Sequence, residues 1–397
     1  MSPFPALVAR PRRTFVILCI LALAALVAAV LLGVRPPGTT QASPSGKIYW
    51  TDSGTDKIQR ANLDGTGVED LVTTGLTSPA GLALDVSGGK MYWTDRVTGK
   101  IQRANLDGTV VEDLVTGLVR PIGIALDVSG GKMYWADNAT GKIQRASLDG
   151  TGVEDVVLLP SCGEISSFFC PYGAELDVSG GKLYWTVLIG DIQRANLDGS
   201  AVEILVTGLT APTDIALDVG GTQMYWTHSI PGGPTQQLGH IERANLDGSG
   251  FQTVVNKGQG SDPRGIALDV HKGKMYWTDL RTNKIQRADL DGFGVEDLVT
   301  TGLISPIGIA LDIPEPPPGA TPKPTRTPIP TPTPTPTPVM VGGFVSDLTS
   351  DAAAPPTGRG AAGAGSGSTS GWVVAALAGA GAIALGGAAW YARRRVG

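Results

Sequence analysis

Three cysteines and three histidines in 397 residues set the first limits on this chain. A small extracellular scaffold held together by dense disulfides is excluded, because such scaffolds need many cysteines to replace a hydrophobic core. His228, His240 and His271 are the whole histidine supply, and no Ser/His/Asp or Cys/His arrangement has a recognisable motif. Charge is also scarce. Charged residues make up 17% of the chain and the net charge is −5, so the basic patch that nucleic acid requires is missing and no nucleic-acid partner is expected. Glycine (55) and proline (29) follow no strict three-residue period, which excludes collagen.

Aromatic residues are only 6% of the chain, yet six of the eight tryptophans share one local context. Lys90-Met91-Tyr92-Trp93-Thr94-Asp95 recurs, with small changes, at Lys47–Asp52, Lys132–Asp137, Lys182–Val187, Gln223–His228 and Lys274–Asp279. The copies lie about forty to fifty residues apart, the period of a propeller blade rather than of a helical solenoid. Each sits in a longer unit, clearest from Gly81 to Val115. An apolar run, Gly81–Asp85, turns through Gly88-Gly89 into the Tyr-Trp segment. Lys100–Leu106 follows, then Asp107-Gly108, a strong signal for a two-residue type I′ hairpin, and Val111–Val115 closes the unit. Asp-Gly recurs at the same point, ending at Gly65, Gly150, Gly199, Gly248 and Gly292. The pattern predicts four short antiparallel strands per unit with no room for a helix. Such a sheet cannot bury both faces alone, whereas radial stacking buries them against neighbours.

The strand count also predicts how the ring closes. The chain enters at Lys47–Asp52, a second strand with no first strand before it. It leaves at Gly308–Asp312, a first strand with no second strand after it. Together they complete one blade, and six blades close. The fold expected is all-β, a six-bladed propeller over residues 46–313, with membrane segments at both ends.

These residues resemble the six-bladed YWTD β-propeller, the class B repeat of low-density-lipoprotein receptors. The resemblance spans about residues 46–313 and rests on six Tyr-Trp-Thr-Asp-like copies, each with a matching inner strand and Asp-Gly hairpin. It implies the propeller fold and a habit of binding proteins on one face. Receptors of that family flank their propellers with cysteine-rich modules, which three cysteines cannot build, so lipoprotein uptake is not implied.

Outside the repeats, residues 1–45 read as a membrane-targeting segment. Arg10, Arg12 and Arg13 precede an unbroken apolar run, Thr14–Val34. At about 1.5 Å per residue, a helix of this length spans the roughly 30 Å hydrocarbon core. A cleaved signal peptide and a retained signal anchor both fit, and either leaves the propeller outside the membrane. Residues 314–338 form a Pro/Thr-rich stalk, extended at about 3.1 Å per residue. Residues 339–370 form a Gly/Ala/Ser linker expected to be disordered. Residues 371–391 are expected to be a transmembrane helix bounded by Trp372 and Trp390-Tyr391, and 392–397 a basic cytoplasmic tail. A processed surface-sorting tail is the competing reading, though no Leu-Pro-x-Thr-Gly motif is present.

Features repeated in every blade signal scaffold, and function is sought where the repeats differ. Asp52/Lys57, Asp95/Lys100, Asp137/Lys142 and Asp279/Lys284 are expected to be exposed cross-strand ion pairs that fix register. Arg60, Arg103, Arg145, Arg194, Arg243 and Arg287 are structural by the same argument, and the Tyr-Trp residues pack blade on blade rather than binding carbohydrate. The second-to-third and fourth-to-first connections vary, and in an antiparallel blade both lie on one face, where binding is expected. They include Ser161–Cys170, Ser229–Gly239 and Asn256–Arg264. Cys162 and Cys170 share one inserted loop and are expected to pair outside the cell, Cys19 lying in the membrane segment. They do not complete a metal site, and no metal or cofactor is expected.

Ala80, Ile122, Tyr172, Thr213, Arg264 and Ile307 are placed around the channel mouth, with Ile122 and Ile307 as channel caps. Phe168, Phe169, Tyr172 and Arg264 are the main candidate binding residues, flanked by Arg120 and Asp262. His228 and His240 occupy the Asp/Lys slots of their blade and are expected to face each other, so that acid pH would loosen residues 229–239. The function expected is a surface-anchored, extracytoplasmic propeller at a cell membrane that binds an extracellular protein or mediates adhesion, with no catalytic residues. The alternatives are an enzyme of the lactone-hydrolase type and a purely structural surface-layer spacer. The channel-facing slots Gly81, Gly123, Gly173, Asp214, Gly265 and Gly308 offer one carboxylate among glycines, too few for a metal nest.

Overall fold

The structure, a computed structural model, describes residues 46–159, 162, 170–230 and 238–314. It contains six four-stranded sheets, each antiparallel. Blade 2 shows the plan: inner strand Pro79–Asp85, then Lys90–Asp95, Lys100–Asn105 and outer strand Glu112–Val115. Blade 1 is stitched from both ends of the domain, as the strand count requires. Pro306–Asp312 pairs with Lys47–Asp52, Lys47 opposite Asp312. The other inner strands are Pro121–Asp127, Pro171–Asp177, Pro212–Asp218 and Pro263–Asp269, and each inner strand touches the next around a closed ring.

The repeated residues explain this closure. All six motif tryptophans have zero solvent exposure. Trp93 packs with Tyr49, Ile58 and Val72 of the preceding blade, and Trp277 packs with Tyr225, Ile241 and Val255 in the same way. Truncating a buried tryptophan typically costs about 3–5 kcal/mol, so these side chains dominate the blade interfaces. The indole N–H needs an acceptor when buried. It donates to Gln59 from Trp50, Gln102 from Trp93, Gln144 from Trp135 and Gln286 from Trp277.

Two further sets of bonds run from blade to blade. The repeated arginines donate to a backbone carbonyl of the next blade: Arg60 to Leu106, Arg103 to Leu148, Arg145 to Leu197, Arg194 to Leu246, Arg243 to Leu290, and Arg287 to Leu63, which returns to the start. Nearer the channel, the motif threonine does the same. Thr51 reaches the Ala80 carbonyl at 2.6 Å, Thr94 that of Ile122 at 2.6 Å and Thr278 that of Ile307 at 2.6 Å. Blade 3 has Ala136 in this slot, and Asn138 Nδ2 donates to the Pro171 carbonyl instead.

The exposed Asp/Lys ion pairs expected from the sequence are absent. The residues are Cα partners as anticipated. The carboxylates, however, are buried: Asp52, Asp95 and Asp279 are 0% exposed and Asp137 2%. The lysines turn outward to the outer strand: Lys57 to Asp70, Lys100 to Asp113 and Lys142 to Asp155 at 2.7 Å each, and Lys284 to Asp297 at 2.6 Å. The cause is competition for lone pairs. Asp52 already accepts N–H bonds from Gly54, Thr55, Ile304 and Ser305, which saturates a carboxylate. Each such aspartate knots its own blade's loop or the incoming loop on the variable face, so it is a loop anchor rather than a surface charge.

Among the described residues, no helix is long and apolar enough to cross a membrane. The segments expected to do so, 14–34 and 371–391, lie outside the described residues, as do the stalk and linker.

Candidate functional site: the channel and its mouth

The inner strands run side by side so closely that most carry glycine at the third position. A Cβ on Gly81 would lie 2.2 Å from the Ile122 carbonyl oxygen, and one on Gly308 2.2 Å from that of Ala80. This close approach builds a narrow central channel. Its mouth on the variable face is ringed by the second residue of each inner strand, one step inside the strand rather than before it. Ala80, Ile122 and Ile307 form an apolar collar there, with Tyr172 and Leu280 packed against it. Ile122 and Ile307 are 3% and 5% exposed and act as caps. Thr213 is buried, its hydroxyl 2.8 Å from that of Thr227.

Arg264 and Asp262 form an ion pair at 2.8 Å. Asp262 is 3% exposed, so it serves to hold Arg264 at the mouth, where the Arg264 side chain keeps 22% of its surface exposed. Asp262 is itself fixed by its backbone N–H, which donates to Asp279. Arg120 is exposed on the same face, and its backbone N–H donates to the buried Asp137. Cys162 and Cys170 are joined by a disulfide with a Cα separation of 4.9 Å, and Cys170 is fully buried beside Pro171. Phe168 and Phe169, on the loop that this bond closes, lie outside the described residues.

The sequence reading missed one channel residue. Glu175 occupies the slot that is alanine in the other blades, at Ala83, Ala125, Ala216, Ala267 and Ala310. It lines the channel cavity together with Asp214, Tyr172 and Arg264. Burial pushes the Glu175 carboxyl up from 4.5 to about 7; the nearby Asp214 charge adds to this, and the Leu176 N–H opposes it. Burial likewise pushes Asp214 from 3.8 to about 7, against N–H bonds from Ile266 and Ile215. The signal in the sequence is a departure from the repeat two residues beyond the glycine slot, where the other blades carry alanine.

His228 and His240 are Cα partners with ring centroids 6.1 Å apart, as their slots require. Their chemistry differs from the expected symmetric pair. His228 takes over the loop-anchoring task of the missing aspartate, its Nε2 accepting the Thr210 N–H at 3.1 Å. That acceptor role places the ring hydrogen on Nδ1, which donates to Glu242 Oε2 at 3.0 Å. Glu242 stands where other blades have glutamine and also accepts the Trp226 indole N–H. Burial holds His240 below its ordinary value, with His228 acting in the same direction and Glu242 opposing. Residues 231–237 of the connecting loop lie outside the described residues.

Comparison with known proteins agrees with this architecture. The family model of the low-density lipoprotein receptor repeat class B matches residues 46–86, 89–128 and 273–313. Mouse low-density lipoprotein receptor-related protein 5 is 44% identical over 61 residues, which are 15% of this chain and 4% of that protein. Human low-density lipoprotein receptor-related protein 4 is 63% identical over 38 residues, 10% of this chain and 2% of that protein. The chain thus matches only a few per cent of the length of these curated relatives. Among solved structures, a chain of the nidogen/laminin complex superposes with a TM-score of 0.59 at 23% identity, covering 68% of this chain and 98% of that one.

Proposed function

We propose that this six-bladed YWTD propeller, built of low-density lipoprotein receptor class B repeats, binds a protein partner through the loop face around its channel mouth. The observation that carries the reading is the one-sidedness of the irregularity. Tyr172, Arg264 and Arg120, the disulfide-closed loop and the His228 blade all gather at one end of the disc, while the opposite turns repeat almost unchanged. Arginine and tyrosine supported by a rigid scaffold are typical anchors of protein interfaces. The membrane segments expected at 14–34 and 371–391 support display of the propeller on the outer surface of a cell membrane.

The cavity argues against the enzymatic alternative. Its volume is about 60 Å³, whereas pockets for organic ligands span roughly 300–1,000 Å³. Among the described residues, no three His, Cys, Asp or Glu side chains converge as a metal site would require. A pure spacer would need neither the Arg264–Asp262 pair at the mouth nor the disulfide-closed loop.

The test is site-specific photo-crosslinking from the full-length chain on its native cell surface. Probes at Tyr172 and Arg264 should capture the same protein, and probes at Lys90 and Lys132 on the uniform face should not. Alanine at Tyr172 or Arg264 should weaken the captured complex by about 2 kcal/mol each. Capture from the Lys90 and Lys132 probes alone would reverse the assignment of faces.

A further inference from the structure

Among the described residues, the channel holds two carboxylates that no basic group pairs with. Glu175 accepts one hydrogen bond, from the N–H of its neighbour Leu176 at 3.2 Å. Asp214 accepts the Ile266 N–H at 3.0 Å. The cation lining the cavity, Arg264, is bound to Asp262 instead. The two carboxylates are also close neighbours. Asp214 lies over Gly173, where a Cβ would come within 2.9 Å of its Oδ1. Gly173, Glu175 and Asp214 all line the same cavity.

Both positions break the repeat at a cost. Glu175 replaces an alanine and Asp214 a glycine of the inner ring, in adjacent blades and on a single cavity. Burying two like charges together is unfavourable for folding. The Ile266 bond gives Asp214 one structural task, but no comparable task accounts for Glu175 beside it, and breaches of local rules of this kind concentrate at functional sites.

We infer that the channel is a socket for one primary ammonium group, the tip of a lysine side chain presented by the partner and held between the Glu175 and Asp214 carboxylates. The inference rests on the loop-face reading and names the chemistry that reading leaves open. Size selects the ligand: about 60 Å³ admits an ammonium group and a few waters. An ammonium is compact, carries three donors and suits a pair of separate acceptors, whereas a guanidinium needs a planar fork. Calcium takes about six to eight oxygens, far more than two carboxylates supply. The path also fits a lysine. Glu175 lies three residues below Tyr172, at most about 10 Å down the strand. The apolar collar of Ala80, Ile122 and Ile307, with the Tyr172 ring beside it, would cover the methylene stem while the charge passes beyond.

The test uses the full-length protein and small probes, so it does not depend on finding the partner. Binding of Nα-acetyl-lysine methylamide is measured by calorimetry at about pH 8, where both carboxylates, raised to about 7, are ionised. Nα-acetyl-norleucine methylamide, which lacks the ammonium, and methylammonium, which lacks the stem, are the comparison probes. The lysine probe should bind at least about tenfold more tightly than either, and Glu175→Gln and Asp214→Asn should each weaken it by about tenfold, the loss of one charge-assisted bond. At about pH 5, with both carboxyls protonated, wild-type binding should fall below that of either single variant at about pH 8, each of which keeps one carboxylate. Melting curves show that each variant is folded. Equal binding of the norleucine probe, or variants that bind like wild type, would overturn the socket. Methylammonium binding as tightly as the lysine probe would show a site for free amines rather than for a lysine side chain. Failure here with successful crosslinking at Tyr172 would remove the socket and leave the loop face standing.

Discussion

Replacing Glu175 by glutamine tests what the buried carboxylate costs the fold. The Glu175 carboxyl titrates at about 7 in the folded chain against an ordinary 4.5, a rise of roughly 2.5 units. At about 1.36 kcal/mol per unit this is on the order of 3 kcal/mol, and less to the extent that channel water reaches the group. A raised carboxyl pKa means the folded state holds the proton more tightly than the unfolded state. The stability this contributes is fully present below the unfolded value and is lost as pH rises through the folded one. Wild type should therefore lose stability between about pH 4.5 and pH 7 through this group, while the glutamine variant should not. Near pH 4 the two proteins should melt together. At pH 8 Glu175→Gln should be more stable by about 2–3 kcal/mol, which for a domain of this size raises the midpoint by roughly 4–10 °C. Calorimetry at the two pH values decides it. A glutamine variant that melts with wild type at both, or below it at pH 8, would show that Glu175 is solvated and that its burial is not the dominant influence.

Three other perturbations probe the ring, the loop anchors and the histidine blade. Ending the chain before Pro306 removes the inner strand of blade 1 and should abolish cooperative unfolding, while ending it after Pro314 should leave the midpoint unchanged; equal melting of the two would refute the closure. Asp52→Ala leaves several buried N–H groups unpaired and should cost about 2–4 kcal/mol, against under about 1 kcal/mol for Lys57→Ala, as measured by urea denaturation. For His240 the folded pKa is lowered, so acid stability is lost as pH falls from about 6.5 toward that value. His240→Gln should flatten this loss, and an unchanged pH profile would show that His240 is not its source.

Much of the fold was legible because one physical constraint repeats six times. Trp93 and its counterparts must be buried against the preceding sheet, and Asp107-Gly108 and its counterparts must turn, so period and strand order can be read directly. Ring closure followed from counting strands at the two ends. Side-chain destinations were less legible. Asp95 and Lys100 are register partners, yet their charges separate because backbone N–H groups from a loop distant in sequence reach the aspartate first. Such three-dimensional competition leaves no trace in residue spacing. The mouth residues Tyr172, Arg264 and Ile307 were found because they vary at one fixed position of the repeat. Glu175 departs from the repeat in one blade alone, deeper in the inner strand, at a slot whose alanine in the other five blades suggests packing alone.

The stitched blade has a mechanical consequence. Gly46 lies against Asp312 and Pro314, so the incoming and outgoing chain leave the disc side by side. They do so at the Lys47–Asp312 end of the strand pair, on the side of the uniform turns and opposite the loop face. A pull applied between the two ends would open that pair like a zipper, one hydrogen bond at a time, and so at low force. A pull from a single end against a partner held on the opposite face would instead load the whole blade along its strands. Tethering at one terminus or at both would therefore make the same ring either a firm handle or a clasp that opens under tension.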